Sequence, residues 1–229
     1  MMARTHVATA EAAWFTVGAV VPQWVGHPLT PHQLAAGGVL VVGAGLLPDI
    51  DSPKSTWRYA LGPVGLPLTR WVERISGGHR HATHTLAFVL AAGVVSLLLL
   101  TNVFGLVVAG AVSGMLATRY FAPRLVRSSM PQPAKLAVAG LLAALVVTAG
   151  AGPWVAWAFV VGVLAHLAGD VVTASGVPLL WPVLPERISL PVLPIESRSE
   201  RVVMWGLIGV AVWAAYGHFA ADASAFGMA

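Results

Sequence analysis

Apolar runs broken only by Gly, Pro and scattered charges constrain this chain more than any other feature. They give about seven helical segments, at 6–21, 31–47, 82–101, 103–121, 134–150, 154–174 and 200–219. Only 10% of the residues are charged and mean hydropathy is +0.79, against about 25% charged residues in soluble domains. A bilayer core offers no water to backbone N–H and C=O groups, so apolar segments of this kind fold as helices. The expected fold is all-α, a polytopic membrane bundle of about seven short helices forming a single membrane-embedded domain over 1–229. Several segments fall short of the ~20 residues of a full span, so the first two are expected to tilt, thin the bilayer or enter partway. The first contains Glu11 and has no small-residue cleavage pattern before Pro22, which predicts a retained N-terminus.

Charge tests that segment count, because Lys and Arg collect on the cytoplasmic side of a membrane protein. With seven segments, all 13 cations fall on one face. Arg4 precedes the first segment, and Lys54, Arg58, Arg70, Arg74 and Arg80 lie between the second and third. Arg119, Arg124, Arg127 and Lys135 surround the turn between the fourth and fifth, and Arg187, Arg198 and Arg201 lie before the seventh. The opposite connections, 22–30, 101–102 and 150–153, carry none. The expected localisation is the bacterial inner membrane, multi-pass, with the N-terminus cytoplasmic and the C-terminus outside. The pI near 10.1 is therefore read as topology, with no direct nucleic-acid partner.

The same assignment gathers His6, Asp49, Asp51, His79, His84, His166, Asp170 and Glu200 at helix ends on the cytoplasmic side, and leaves His27, His32 and His218 on the other. Ionisable groups are costly at membrane depth, and with no Cys the available metal ligands are imidazole and carboxylate. His166 and Asp170, four apart, share a helix face and can share a metal; alone they read more readily as a helix-tying hydrogen bond, and the cost of an ionisable pair near the membrane favours the metal. Asp49 and Asp51, flanked by Pro48 and Pro53, are expected in an extended segment that points both at one site. A lone Asp-x-Asp would otherwise be a solvated loop. His79 and His84 bracket the start of the third segment, which Thr83 is placed to cap. Arg80 is suited to an anion such as phosphate, and equally to lipid headgroups. His81 points elsewhere by spacing, Glu11 reads as a packing acid, and Glu200 is already explained by a capping box from Ser197. Thr30 to Gln33 reads as another.

Two tracts fall outside the spans. The Pro-rich 176–195 stretch is too apolar for a free loop and is expected in the interface, anchored by Trp181. The 54–76 tract reads as a mixed basic and apolar loop with Trp57 and Trp71 at headgroup level. Short connections at 101–102 and 149–153 predict hairpins of segments three with four and five with six.

The residues Thr5-His6, Leu46–Ser55, Gly78–Thr85, His166–Asp170 with Thr173, Gly176–Pro182 and Glu200, in that order across nearly the whole chain, resemble the YdjM-like membrane-bound metal-dependent hydrolases, also described as LexA-binding and inner-membrane-associated. In that family a small residue commonly stands at the position of His81, and His often follows the position of Asp51, where this chain has Ser52. The ligand order is also similar to that of zinc-dependent phospholipase C and related nucleases, which implies a phosphoester substrate.

The expected function is a membrane-bound metal-dependent hydrolase acting on a lipid or lipid-linked phosphoester through metal-activated water. It would use one or more divalent ions, zinc first and manganese second, with Asp49 or Asp51 as base and Arg80 assisting. Membrane lipid is the expected partner. The rival reading is a non-catalytic module whose basic loops bind a cytoplasmic protein or anionic lipid. A transporter ranks third, because 86–100 and 136–148 offer no polar path.

Overall fold

The computed structural model describes residues 2–100, 102–121 and 130–225, so Thr101, Arg124 and Arg127 lie outside the described residues. Helix α1 (Ala3–Ala13) continues through a π-helical turn (Trp14–Gly18) into α2 (Ala19–Trp24). Glycines make room for the turn: a Cβ on Gly37 would sit 1.9 Å from the Trp14 ring, whose Nε1 donates to the Leu34 carbonyl at 2.8 Å. Helix α3 (Pro31–Leu46) starts at the expected capping box, with Thr30 Oγ1 and Gln33 exchanging bonds with each other's backbone N–H.

The expectation of an extended Asp49–Asp51 segment is overturned. Pro48–Asp51 is a 3₁₀ turn that extends α3, because proline is tolerated at the start of a helix and Pro53 restricts only Ser52, the one extended residue (φ −118°, ψ 115°). At three residues per turn, side chains two apart diverge, so the two aspartates reach His84 from different sides, Asp49 at Nε2 and Asp51 at Nδ1.

The 54–76 tract is likewise not a loop. It forms α4 (Trp57–Ala60), a 3₁₀ turn (Gly62–Val64) and α5 (Gly65–Ser76), stopped by left-handed Gly77 at φ 84°. Trp57 is buried and donates Nε1 to the Leu46 carbonyl, so its indole packs inside the protein and is not an exposed anchor.

After a third 3₁₀ turn (Ala82–His84) come α6 (Leu86–Leu99), α7 (Val103–Phe121), α8 (Gln132–Thr148), α9 (Pro153–Val171) and α10 (Arg198–Ala225). Thr85, not Thr83, caps α6 through Phe88 N–H. The fold is all-α. Among the described residues, four helical stretches are long and apolar enough to cross a membrane: Pro31–Asp51, Val103–Tyr120, Pro153–Val171 and Arg198–Ala221.

Helix pairing follows small residues rather than short connections. Instead of the expected hairpins, α7 packs chiefly on α8, and α9 packs on α3 and α6. A Cβ on Gly110 would meet Ala143 Cα at 2.8 Å and one on Gly114 would meet Ala139 Cα at 3.1 Å, a glycine pair four apart that lets two backbones close. Gly162 does the same for α9 against Ala44 and Gly45 of α3, and Gly45 for α3 against Ala10 of α1. Helices α1, α3 and α9 therefore close on one another at Gly45 and Gly162. The 176–195 strap runs past the end of α9 and the start of α6. Val177 and Ile188 form a two-way bridge, Leu190 N–H reaches the Val171 carbonyl, and Leu86 N–H reaches Leu179.

Candidate metal centre

Where α1, α3 and α9 converge, each contributes polar groups at the same end. His6 projects from α1, Asp49 and Asp51 from the turn after α3, and His166 and Asp170 from α9, while the 78–84 loop brings His79, Arg80 and His84. His6, Asp51, His84, His166 and Asp170 are all buried to 1% exposure or less. The His6 and His166 rings stack with centroids 3.7 Å apart and planes 11° apart.

Hydrogen bonds fix which nitrogen each ring presents. His166 Nδ1 donates to the Gly45 carbonyl at 2.7 Å, an approach open only because the three helices cross at small residues. Its Nε2 therefore carries the lone pair. His84 Nδ1 donates to the Thr83 hydroxyl oxygen at 3.0 Å, because that hydroxyl gives its own proton to Asp51, and this leaves His84 Nε2 as the acceptor. These two Nε2 atoms stand 3.3 Å apart, and Asp170 Oδ2 lies 3.5 Å from each. Two lone pairs and a carboxylate converging in a buried space need a cation or a proton among them.

The spacing fits a metal. A tetrahedral zinc about 2.0–2.1 Å from each nitrogen separates its ligands by about 3.3–3.4 Å, and the triangle of His84, His166 and Asp170 has edges of 3.3, 3.5 and 3.5 Å. Asp49 Oδ1 borders the open fourth corner from farther off, 3.9 Å from His84 Nε2 and 3.8 Å from His166 Nε2. On either side, His6 with His166 and Asp170, and His79 with Asp49 and His84, bring ligand atoms within 4.8 Å of one another. Asp170 Oδ1 faces His6 Nε2 at 3.4 Å and accepts from Arg80 Nη2 at 2.8 Å.

Asp51 is spent on holding these groups. Oδ1 accepts from His79 Nδ1 at 2.7 Å, and Oδ2 accepts from Arg80 N–H at 3.1 Å and from the Thr83 hydroxyl. Arg80 takes a left-handed backbone (φ 61°) to deliver that N–H. Burial lowers the pKa of His84 despite the nearby aspartates, so the ring is neutral, as a ligand must be. Burial also pulls on His79, but the hydrogen bond and charge of Asp51 outweigh it and leave the His79 pKa raised.

Three candidates stand apart. Glu200 is buried, with Oε1 accepting from Met2 N–H and Oε2 from Glu196 N–H, both at 2.6 Å, so it ties the chain's start to the strap. Ser197 caps Glu200 N–H as expected. His81 turns to the Ser76 carbonyl and the edge of Trp181. Glu11 lines an apolar hollow between α1 and α10. Sequence reasoning missed Gly45 and Thr83 as supports of the centre. The small-residue run Gly43-Ala44-Gly45 was the available signal for the first.

On its outer side the centre opens into a polar cavity of about 320 Å³ lined by Asp49, Ser52, Lys54, Ser55, His79 and Arg80. The Ser55 hydroxyl is buried there without a hydrogen-bond partner among the described residues. Arg58 and Arg119 both face the Tyr59 ring, 5.3 and 5.0 Å from its centre.

No solved structure matches the chain. Two curated relatives, the inner membrane protein YdjM of Escherichia coli (strain K12) and that of Shigella flexneri, are each 29% identical over 174 residues. These alignments cover 73% of this chain and 61% of each relative, so the chain spans less than two thirds of their length. The YdjM inner membrane protein family matches residues 1–225, and the chain belongs to that family.

Proposed function

We propose that the protein is a membrane-bound, metal-dependent hydrolase that cleaves a phosphoester carried by a membrane lipid at the cytoplasmic surface. The observation that carries this reading is the His84, His166 and Asp170 triangle, sized for one divalent ion and open on the side of Asp49. Three protein ligands and one accessible position are the pattern of catalytic rather than structural zinc. Bound there, zinc or manganese supplies Lewis-acid polarisation and lowers the pKa of a water. The triangle and the two flanking groups would hold one ion or two, and metal stoichiometry distinguishes these.

The remaining work falls to this chain's own residues. Asp49 is 19% exposed and borders both the triangle and the cavity, whereas both oxygens of Asp51 are engaged. Asp49 is therefore the base, accepting a proton from water at Oδ1. Arg80 holds Asp170 through Nη2 and Thr173 through Nη1, and its remaining N–H donors, with Lys54, suit a phosphate. The collection of cations at this end supports a cytoplasmic position for the site, by the tendency of Lys and Arg to stay on that side.

The test is hydrolysis of phospholipids by protein reconstituted in vesicles, loaded with zinc or manganese, against chelated protein. Turnover that needs metal and is lost in Asp49→Asn with metal content unchanged is the expected result. Full activity in Asp49→Asn, or no turnover of any phospholipid class by loaded protein, overturns the reading.

A further inference from the structure

Helix α5 divides its circumference into three sectors. At 100° per residue, Gly65, Thr69, Val72 and Ser76 point one way, onto the Asp49–Asp51 turn and α4, and Gly65, Thr69 and Ser76 are buried. About a quarter turn round lie Val64, Trp71 and Ile75, which are 63%, 58% and 63% exposed, with half-buried Leu68 beside them. The third sector, roughly opposite the protein, carries exposed Arg70 and Arg74. A helix packed only on protein and water has no use for an exposed Trp and Ile on one stripe. The stripe, with cations on its edge, fits a helix lying in the plane of a membrane surface.

We propose that α5 docks in the anionic headgroup layer of the bilayer, with Val64, Trp71 and Ile75 in the acyl boundary and Arg70 and Arg74 on lipid phosphates. Connectivity puts it there, because α5 begins 14 residues after Asp51, the end of an apolar stretch long enough to span. Charge complementarity selects the occupant: arginines beside an aromatic stripe suit anionic lipid better than a second apolar protein face. Gly77 ends α5 two residues before His79, so a docked α5 holds the cavity mouth at phosphate depth. That last consequence rests on the proposed function; the docking itself does not.

The chain contains no cysteine, so a single introduced thiol is a unique spin-label site. Trp71→Cys, Ile75→Cys and, as the outward control, Arg74→Cys would be labelled in full-length protein. Each would be placed in vesicles of phosphatidylcholine with or without phosphatidylglycerol, and its collisions with oxygen and with a water-soluble nickel complex compared. Labels at 71 and 75 are expected to favour oxygen severalfold over the label at 74. Phosphatidylglycerol should deepen the label at 75, and Arg70→Gln/Arg74→Gln should remove that difference. Labels at 71 and 75 as open to nickel as the label at 74 would overturn the proposal. So would labels shielded from both probes, which would mean protein covers the stripe, or a depth indifferent to lipid charge. None of these outcomes depends on metal, so failure here is distinct from failure of the hydrolase reading.

Discussion

Helices α9 and α10 are nearly equal in hydropathy, 1.6 and 1.5 over their most apolar windows, yet 67% of the first window and 11% of the second is buried in protein. Hydropathy reports that a helix suits a membrane; it does not report which neighbour covers it. Small residues and ionisable residues decide that. In α9, Gly162 meets backbone, while His166 and Asp170 face other buried polar groups. In α10, Gly206, Gly209 and Gly217 meet nothing within 4 Å, and Trp205, Trp213 and Tyr216 stand exposed. α9 is a core element that carries chemistry, and α10 is a peripheral helix tied down at its head by Glu200.

The sharpest way to break this contrast is to remove one buried acid from each helix. Asp170→Ala should abolish metal binding and cost about 3–5 kcal/mol, because it strands the Arg80 guanidinium, whose side chain is 12% exposed. Metal content and thermal unfolding in detergent read both effects. Glu200→Gln should lose one of two charge-assisted bonds to backbone N–H, costing about 1.5–3 kcal/mol, while metal content stays at the wild-type level. Loss of metal in that variant would return Glu200 to the ligand set.

Glycines give the finer comparison. Gly162→Ala places a Cβ 2.6 Å from Ala44 Cβ and 2.9 Å from Gly45 N, so the crossing must open, at about 1–3 kcal/mol. Metal affinity should fall with it, because Gly45 holds His166. Gly209→Ala meets open space and should leave unfolding unchanged or raise stability by up to about 1 kcal/mol through helix propensity. Equal effects of the two substitutions would contradict the division into core and peripheral helices.

Much of the centre was legible because its chemistry is written in residue types. Buried His and Asp are expensive, so His166 with Asp170 and His84 with Asp49 stood out against an apolar background, and the structure brings them together. The all-α class followed from apolar runs alone. What the sequence hid was conformation at junctions. Pro48 and Pro53 suggested an extended strand, but only Ser52 felt the constraint. The mixed composition of 54–76 concealed two helices because neither is long enough to look like a span. Helix partners were misjudged because connection length was weighed above the glycines. Gly110 and Gly114 had already marked the face on which α7 and α8 meet.

The central claim is that His84, His166 and Asp170 hold a divalent cation. Elemental analysis of detergent-purified wild type beside His166→Ala/Asp170→Ala, each after incubation with zinc and manganese and removal of free ions, tests it most directly. One or two ions per wild-type chain and none retained by the double variant are the expected result. Equal metal in both, or none in either, would contradict it.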